Sequence, residues 1–234
     1  VFAALVFLEK DLGTPAVICA TAFIMLFVAG TRRRFLFPGV VAAVGAIWAL
    51  SVTSPHRLAR LTAFLDPWSH RDTSGYQLIQ SLAAITRGAM WGRGPGAGEQ
   101  KLLYLPEAHT DFIFAVWAEE MGLVGSLILL SLFFALIYVS LRIAFHARDL
   151  FGALLVSGIT ALVGIQAAVN MAVVTGMLPT KGLPLPFISW GGSSLIVFMG
   201  LMGIIVSVGL RAHRIEDRAP RAPRVNTAPR ARAA

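Results

Sequence analysis

The chain has 234 residues, of which 56% are hydrophobic and only 14% charged. A soluble domain carries about 25% charged residues, so one water-soluble core is excluded, and the long apolar blocks read as membrane spans. The formal charge of +8 comes largely from arginine runs flanking those blocks, a placement that speaks for orientation in a membrane and against a nucleic-acid partner.

Taken in order, Val1 to Leu8 is apolar but too short to span. It reads as the end of a helix that begins outside the sequence, without a signal-peptide pattern, and the chain reads as the C-terminal part of a longer protein. Full spans, each needing about 20 apolar residues, are expected at residues 12–30, 35–52, 121–141, 151–175 and 195–210. The expected fold class is all-α: a polytopic helical membrane bundle over residues 1–210, with five full spans and a partial N-terminal one. The single cysteine, Cys19, lies inside an apolar block. It can form neither an intrachain disulfide nor a cysteine metal cluster, and packing is its simplest role.

Arginines and lysines near short links mark the cytoplasmic side. Arg32, Arg33 and Arg34 occupy the first link, and Arg142, His146 and Arg148 the link before the fourth span. Seven arginines lie between Arg211 and Arg232. Alternating spans put all three groups on one side, so the C-terminus is expected in the cytoplasm. Residues 53–110 and 176–194 then face outward. The Ala/Pro/Arg-rich tail, residues 211–234, lacks apolar periodicity and is expected to be disordered. It serves as a topology anchor or is drawn to anionic lipid.

The outer loop 53–110 is far longer than ordinary connections, which marks it as functional. Tyr76, Ile79, Ala83 and Thr86 recur at helical spacing and predict an amphipathic helix at the interface. Glycines 88, 92, 94, 96 and 98 follow. They lack the GxxxxGK[ST] pattern and read as a hinge or turn. Arg57, Arg60, Arg71, Arg87, Arg93 and Lys101 are either a solvated surface or, as a set, a site for a phosphate-bearing ligand.

Next comes Leu105-Pro-Glu-Ala-His-Thr-Asp-Phe112, with Asp111 where loop gives way to apolar helix. An Asp in a first helical turn is favoured by the helix dipole. A carboxylate at a membrane threshold is also a functional candidate. Glu107 and His109 are close by. His109 and Asp111 could ligate a metal, but two ligands lack a third. One straight helix from Asp111 to Leu141 would be about 46 Å long, so residues 111–120 are expected as a separate short segment ending near Gly122. That keeps Glu119 and Glu120 out of the hydrocarbon, as polar contacts rather than catalysts. Gln166 and Asn170, four apart, share a helix face and read as hydrogen-bonding glue between membrane helices in preference to a substrate contact. In the last outer loop Pro179, Pro184 and Pro186 add stiffness, and Lys181 is the one lysine after Lys101. An anion contact or simple solvation both suit it.

These segments together resemble the SEDS family (shape, elongation, division and sporulation proteins). The matching stretches are Phe64-Leu-Asp-Pro-Trp68, Gly75-Tyr-Gln-Leu-Ile-Gln-Ser81, Leu105 to Val116, Leu178-Pro-Thr-Lys-Gly-Leu183 and Ser189-Trp-Gly-Gly-Ser-Ser194, with Glu9-Lys-Asp-Leu-Gly-Thr14 a looser match. Ala108 and Lys181 resemble the division branch rather than the elongation branch. Trp190 stands where the family usually has tyrosine, and Lys10 where it usually has proline. The resemblance implies that these five spans are the C-terminal part of a bundle of about ten, each of about 20 residues.

It also implies a peptidoglycan glycosyltransferase. Such an enzyme polymerises lipid II, a disaccharide-peptide on an undecaprenyl pyrophosphate, into β-1,4 glycan strands with inversion, at the division septum of the bacterial cytoplasmic membrane. Asp111 matches the family's essential aspartate. A sugar hydroxyl needs a general base, whereas a lipid pyrophosphate leaving group needs cations rather than a general acid. Two carboxylates, as in glycoside hydrolysis, are then not required. Candidate substrate-binding residues are Arg57, Arg60, Gln80, Arg87, Lys101, Glu107, His109, Lys181, Ser193 and Ser194. No cofactor is called for, and a divalent cation stays open. Expected partners are lipid II, a class B penicillin-binding protein transpeptidase and other membrane proteins of the division machinery. Two readings from other classes remain. A lipid II flippase would spread polar groups through the spans, whereas here the charges crowd the outer mouth. A non-catalytic scaffold would not need Asp111.

Overall fold

The computed structural model describes residues 13–73, 75–99 and 109–218. All regular structure among them is helical: α1 (Gly13–Val28), α2 (Arg33–Thr53), α3 (Pro55–Leu65), a 3₁₀ turn at Trp68–His70, α4 (Tyr76–Gly88), α5 (Ile113–His146), α6 (Leu150–Val174) and α7 (Gly192–Arg218). In lipid the backbone must satisfy itself, and helices do so without a partner. Three helices are long and apolar enough to cross a membrane by length and composition: α5, α6 and residues Gly192–Ala212 of α7. α1 is apolar over 16 residues, and α2 is helical throughout the span expected from sequence.

α6 is the most buried of the three candidate spans and the helix around which the others gather. It packs against α5, α1, α7 and α4. Leu129 and Phe133 of α5, Val156, Ile159 and Val163 of α6, and Phe198 and Ile205 of α7 share one core. Small residues bring helices close where packing drives association. A Cβ on Gly158 of α6 would lie 2.7 Å from the Met25 sulfur of α1. Large apolar side chains on the outer faces, such as Phe134, Phe145 and Ile196, stay exposed as lipid allows.

The expected break in the long helix is present. α5 counts 34 residues, about 51 Å at 1.5 Å each, and Gly122 interrupts it with φ 65° and ψ −166°. The break frees the backbone groups of the turn around it, and buried polar groups must be paired. The glycine-rich segment after α4 pairs them. Leu123 N donates to Ala89 O (2.9 Å) and Val124 N to Met90 O (3.2 Å), while Arg93 N donates to Glu119 O and Gly94 N to Glu120 O (both 3.0 Å). Side chains complete the clamp. Glu120 Oε2 accepts from Gly96 N (3.0 Å) and the fully buried Glu119 accepts from Glu99 N (3.2 Å). The structural role read for these glutamates thus has a specific form: they hold a loop.

α4 is helical as expected, but its buried face differs from the predicted one. Leu78, Ser81, Ala84 and Gly88 are buried, whereas Thr86 of the predicted stripe is exposed. The reason is backbone proximity. A Cβ on Gly88 would collide with the Ala118 carbonyl of α5, and Ser81 Oγ donates to Val174 O of α6 at 3.0 Å. The helix therefore rests on α5 and α6 through its small residues.

Candidate functional site

The residues just before α5 meet the connection between α6 and α7. Asp111 stands two residues before α5. Three hydrogen bonds join residues 109–111 to α6 and to the following loop, 175–191, and a fourth ties that loop to α6. Asn170 Nδ2 donates to Asp111 O and to Leu183 O, both at 2.7 Å. Ser189 Oγ donates to Thr110 O, and Trp190 N donates to His109 O at 2.9 Å. Within the loop, Leu185 N donates to Ser189 Oγ at 2.6 Å, and Gln166 Nε2 of α6 donates to Pro184 O at 3.0 Å. Prolines explain the need for side chains. They interrupt helix and strand pairing, so the carbonyls of a Leu183-Pro-Leu-Pro186 run must find partners elsewhere.

The loop passes close beneath Asp111. A Cβ on Gly182 would lie 2.8 Å from Asp111 Oδ2, so only glycine leaves the carboxylate its place. Lys181 precedes that glycine and is among the residues lining a cavity of about 280 Å³, whose walls also include Ala16 and Val17 of α1, Val169 and Val173 of α6, and Leu178. A carboxylate, a lysine and an apolar cavity thus share one corner.

Of the other candidates from sequence, His109 is exposed and bound through its backbone, and Ser193 and Ser194 form the first turn of α7. Gln80 and Arg87 lie on α4. Arg87 Nη1 is 3.8 Å from Glu99 Oε2, and Arg93 Nη1 is 2.8 Å from Glu99 Oε1. Arg57 and Arg60 lie on α3, which packs on α2 and the 3₁₀ turn. Lys101 and Glu107 fall outside the described residues. In that 3₁₀ turn Asp66 accepts from Ser69 Oγ (2.6 Å) and Ser69 N (3.2 Å). The Ser69 hydroxyl, then its amide, hold the Asp66 carboxyl below its ordinary 3.8. Among the described residues no group of three or more His, Cys, Asp or Glu side chains could hold a metal ion.

Sequence reasoning gave Gln166 and Asn170 the right chemistry and the wrong recipients. They bind loop backbone rather than another membrane helix. Ser189 and Gly182, which complete the corner, were legible only as parts of a motif.

A family model described as "Cell cycle protein", FtsW/RodA/SpoVE, matches residues 1–214. The chain belongs to this family. Curated FtsW/RodA/SpoVE relatives include a probable peptidoglycan glycosyltransferase FtsW of Geobacter sp. (strain M18). It is 46% identical over 211 residues, covering 90% of this chain and 58% of that protein. Proteins of the same description from Legionella pneumophila and Halomonas elongata are 46% and 44% identical, covering 89% and 97% of this chain and 54% and 59% of theirs. The chain therefore spans between half and three fifths of their length. Among solved structures, a chain from a peptidoglycan synthase complex that coordinates polymerization and crosslinking superposes with a TM-score of 0.73 at 31% identity, covering 91% of this chain and 60% of that one. The rod shape determining protein RodA of Thermus thermophilus gives 0.60 at 28%, covering 91% and 54%. An FtsW/RodA/SpoVE protein with these apolar helices is a membrane protein.

Proposed function

We propose that this chain supplies the base-bearing part of a peptidoglycan glycosyltransferase that polymerises lipid II at the division septum. The observation that carries the reading is the placement of the Asp111 carboxylate against Gly182, whose chain neighbour Lys181 lines an apolar cavity. An amphiphilic anionic substrate suits that corner, its prenyl tail along the apolar walls and its pyrophosphate at the cationic rim.

In the proposed step Asp111 takes the proton of an acceptor sugar hydroxyl as its oxygen attacks the anomeric carbon of the donor. The bond from that carbon to the lipid pyrophosphate breaks, the pyrophosphate leaves with the lipid, and the α sugar becomes a β-1,4 linkage. One carboxylate suffices because the leaving group is already stable as an anion, and cations lower the barrier to its departure. Lys181, the chain neighbour of Gly182, is the candidate for that charge. Arg57, Arg60, Gln80, Arg87, Lys101, Glu107, His109, Ser193 and Ser194 are proposed to line the substrate path, and a divalent cation would join through the pyrophosphate.

The bound partner is proposed to be a class B penicillin-binding protein, within a larger assembly of division proteins. Support comes from the superposition on a chain of a synthase complex that couples polymerization with crosslinking. The C-terminus is proposed to be cytoplasmic, since Arg32 to Arg34, Arg142, Arg148 and the C-terminal arginines fall on one side by alternation.

The test is glycan formation from purified lipid II by the chain in its complete reading frame with its partner, wild type against Asp111→Asn. Lost polymer with lipid II still bound supports the base assignment. Undiminished polymer removes Asp111 from the mechanism and leaves a flippase or a scaffold.

A further inference from the structure

We infer that Asn170 is a positioning residue for Asp111: its amide ties the Asp111 and Leu183 peptides to one point on α6 and thereby sets where the carboxylate stands relative to Gly182 and Lys181. This rests on the proposed role of Asp111.

Asn170 is 2% exposed, in the last two turns of α6. Its Nδ2 has two protons, and two carbonyls accept them, one 59 residues away in the chain and the other 13. Two facing carbonyls admit only the nitrogen of the amide, which fixes its orientation. The amide oxygen, Oδ1, is buried without a hydrogen-bond partner among the described residues. An unmade buried acceptor is a standing cost that a native structure must justify. Leucine would fill nearly the same volume without it. The two N–H bonds therefore supply what apolar packing cannot: a fixed relation between two loops that arrive from distant parts of the chain.

That relation matters because the corner has no slack. The carboxylate already touches the place where a Cβ of residue 182 would be. Moving the Asp111 peptide moves its carboxylate with it, while moving the Leu183 peptide moves Gly182 and Lys181. Gln166, one turn earlier on the same face, offers an internal comparison. It donates to Pro184 O and so anchors the same loop without touching the Asp111 peptide.

The experiment measures kcat and KM for lipid II polymerisation by the chain in its complete reading frame with its partner, comparing Asn170→Ser, Asn170→His, Gln166→Leu and Asp111→Asn. Misplacing a reacting group by about 1 Å costs about 100-fold. Asn170→Ser is expected to lower kcat by about 10- to 100-fold at nearly constant KM. Asn170→His, which keeps one N–H donor, should recover part of it. Gln166→Leu should cost about threefold or less. Retained kcat in Asn170→Ser, an equal loss in Gln166→Leu, or a loss confined to KM would overturn the inference. Should Asn170→Ser fail to fold, Asn170→His read against Gln166→His decides on the same criteria. The Asp111→Asn arm separates the two levels. Full activity there sinks the base assignment, and with it this inference. Lost activity there with full activity in Asn170→Ser sinks only the positioning role.

Discussion

Gly182→Ala adds one methyl group at the most crowded point of the proposed site. Its Cβ would lie 2.8 Å from Asp111 Oδ2, whereas ordinary van der Waals contact begins at 3.4 Å. The carboxylate or the loop must therefore give way by about 0.6 Å. The loop is held by Asn170, Gln166 and Ser189, so the side chain of Asp111 is the softer partner. If a 1 Å error costs about 100-fold in rate, a shift of this size costs roughly tenfold, or about 1.4 kcal/mol of transition-state stabilisation. Stability should scarcely change, because the backbone of Gly182 is not in the left-handed region and its Cβ meets a side chain rather than main chain. The assay is initial-rate glycan polymerisation from lipid II, with thermal unfolding in detergent on the same preparations. Gly203→Ala is the control, since a Cβ there meets nothing within 4 Å. A Gly182→Ala enzyme within about twofold of wild type would refute the claim that the carboxylate position governs the rate.

The clamp at the helix break makes a stability prediction. Gly122→Ala places a Cβ against the Gly92 amide and 2.7 Å from Met90 O, at a φ of 65°. It should cost at least about 2 kcal/mol, and an unchanged midpoint in thermal unfolding would count against the clamp. Glu99→Gln releases Arg87 and Arg93 from an ion pair whose members are 38% to 60% exposed, so stability should fall by less than about 1 kcal/mol. A larger fall measured by the same unfolding would mean that the pair is structural. Asp66 has its carboxyl below 3.8 in the folded turn. Its contribution is present above that unfolded value and is lost as pH falls through the lower folded one. Hydrogen exchange at the Ser69 amide should accelerate over that acidic window relative to Asp66→Asn, in which the dependence disappears; parallel profiles would contradict it.

Much of the architecture was legible because lipid imposes simple rules. Blocks of apolar residues, broken by arginines, gave α1, α2, α5, α6 and α7, and helical spacing gave α4, whereas α3 lies in the stretch read as outer loop. The arithmetic of helix length by itself demands a break near Gly122. Other features were hidden for physical reasons. The buried face of α4 differs from the stripe Tyr76, Ile79, Ala83 and Thr86 that helical spacing suggests, because contact there is made by Ser81, Ala84 and Gly88, which let backbones approach. Gln166 and Asn170 announced hydrogen bonding but not its recipients, since nothing local says that a proline-rich loop 13 residues later will turn its carbonyls back on α6. The candidate base was visible as a carboxylate at a membrane threshold. Its contact with Gly182 was not, because sequence spacing carries no information about which two loops meet.

The two ends of the short helical piece before Gly122 connect these points into one argument. At its start, Asn170, Ser189 and the Trp190 amide hold residues 109–111. At its finish, the main chain of residues 89–94 holds Glu119, Glu120, Leu123 and Val124. Asp111 thus stands on a rod of about three turns, pinned at both ends to different parts of the fold. Catalysis by charge stabilisation gains most when the groups are fixed before the reaction begins. Sensitivity to mutation should therefore concentrate in side chains that bind backbone near the two pins. Exposed apolar positions such as Phe134 and Ile196, which need only lipid-compatible surface, should tolerate exchange among apolar residues. A mutational scan scored for polymerisation would test this directly: an even spread of sensitive positions along α5 and α7 would show that the rod is held by bulk packing instead.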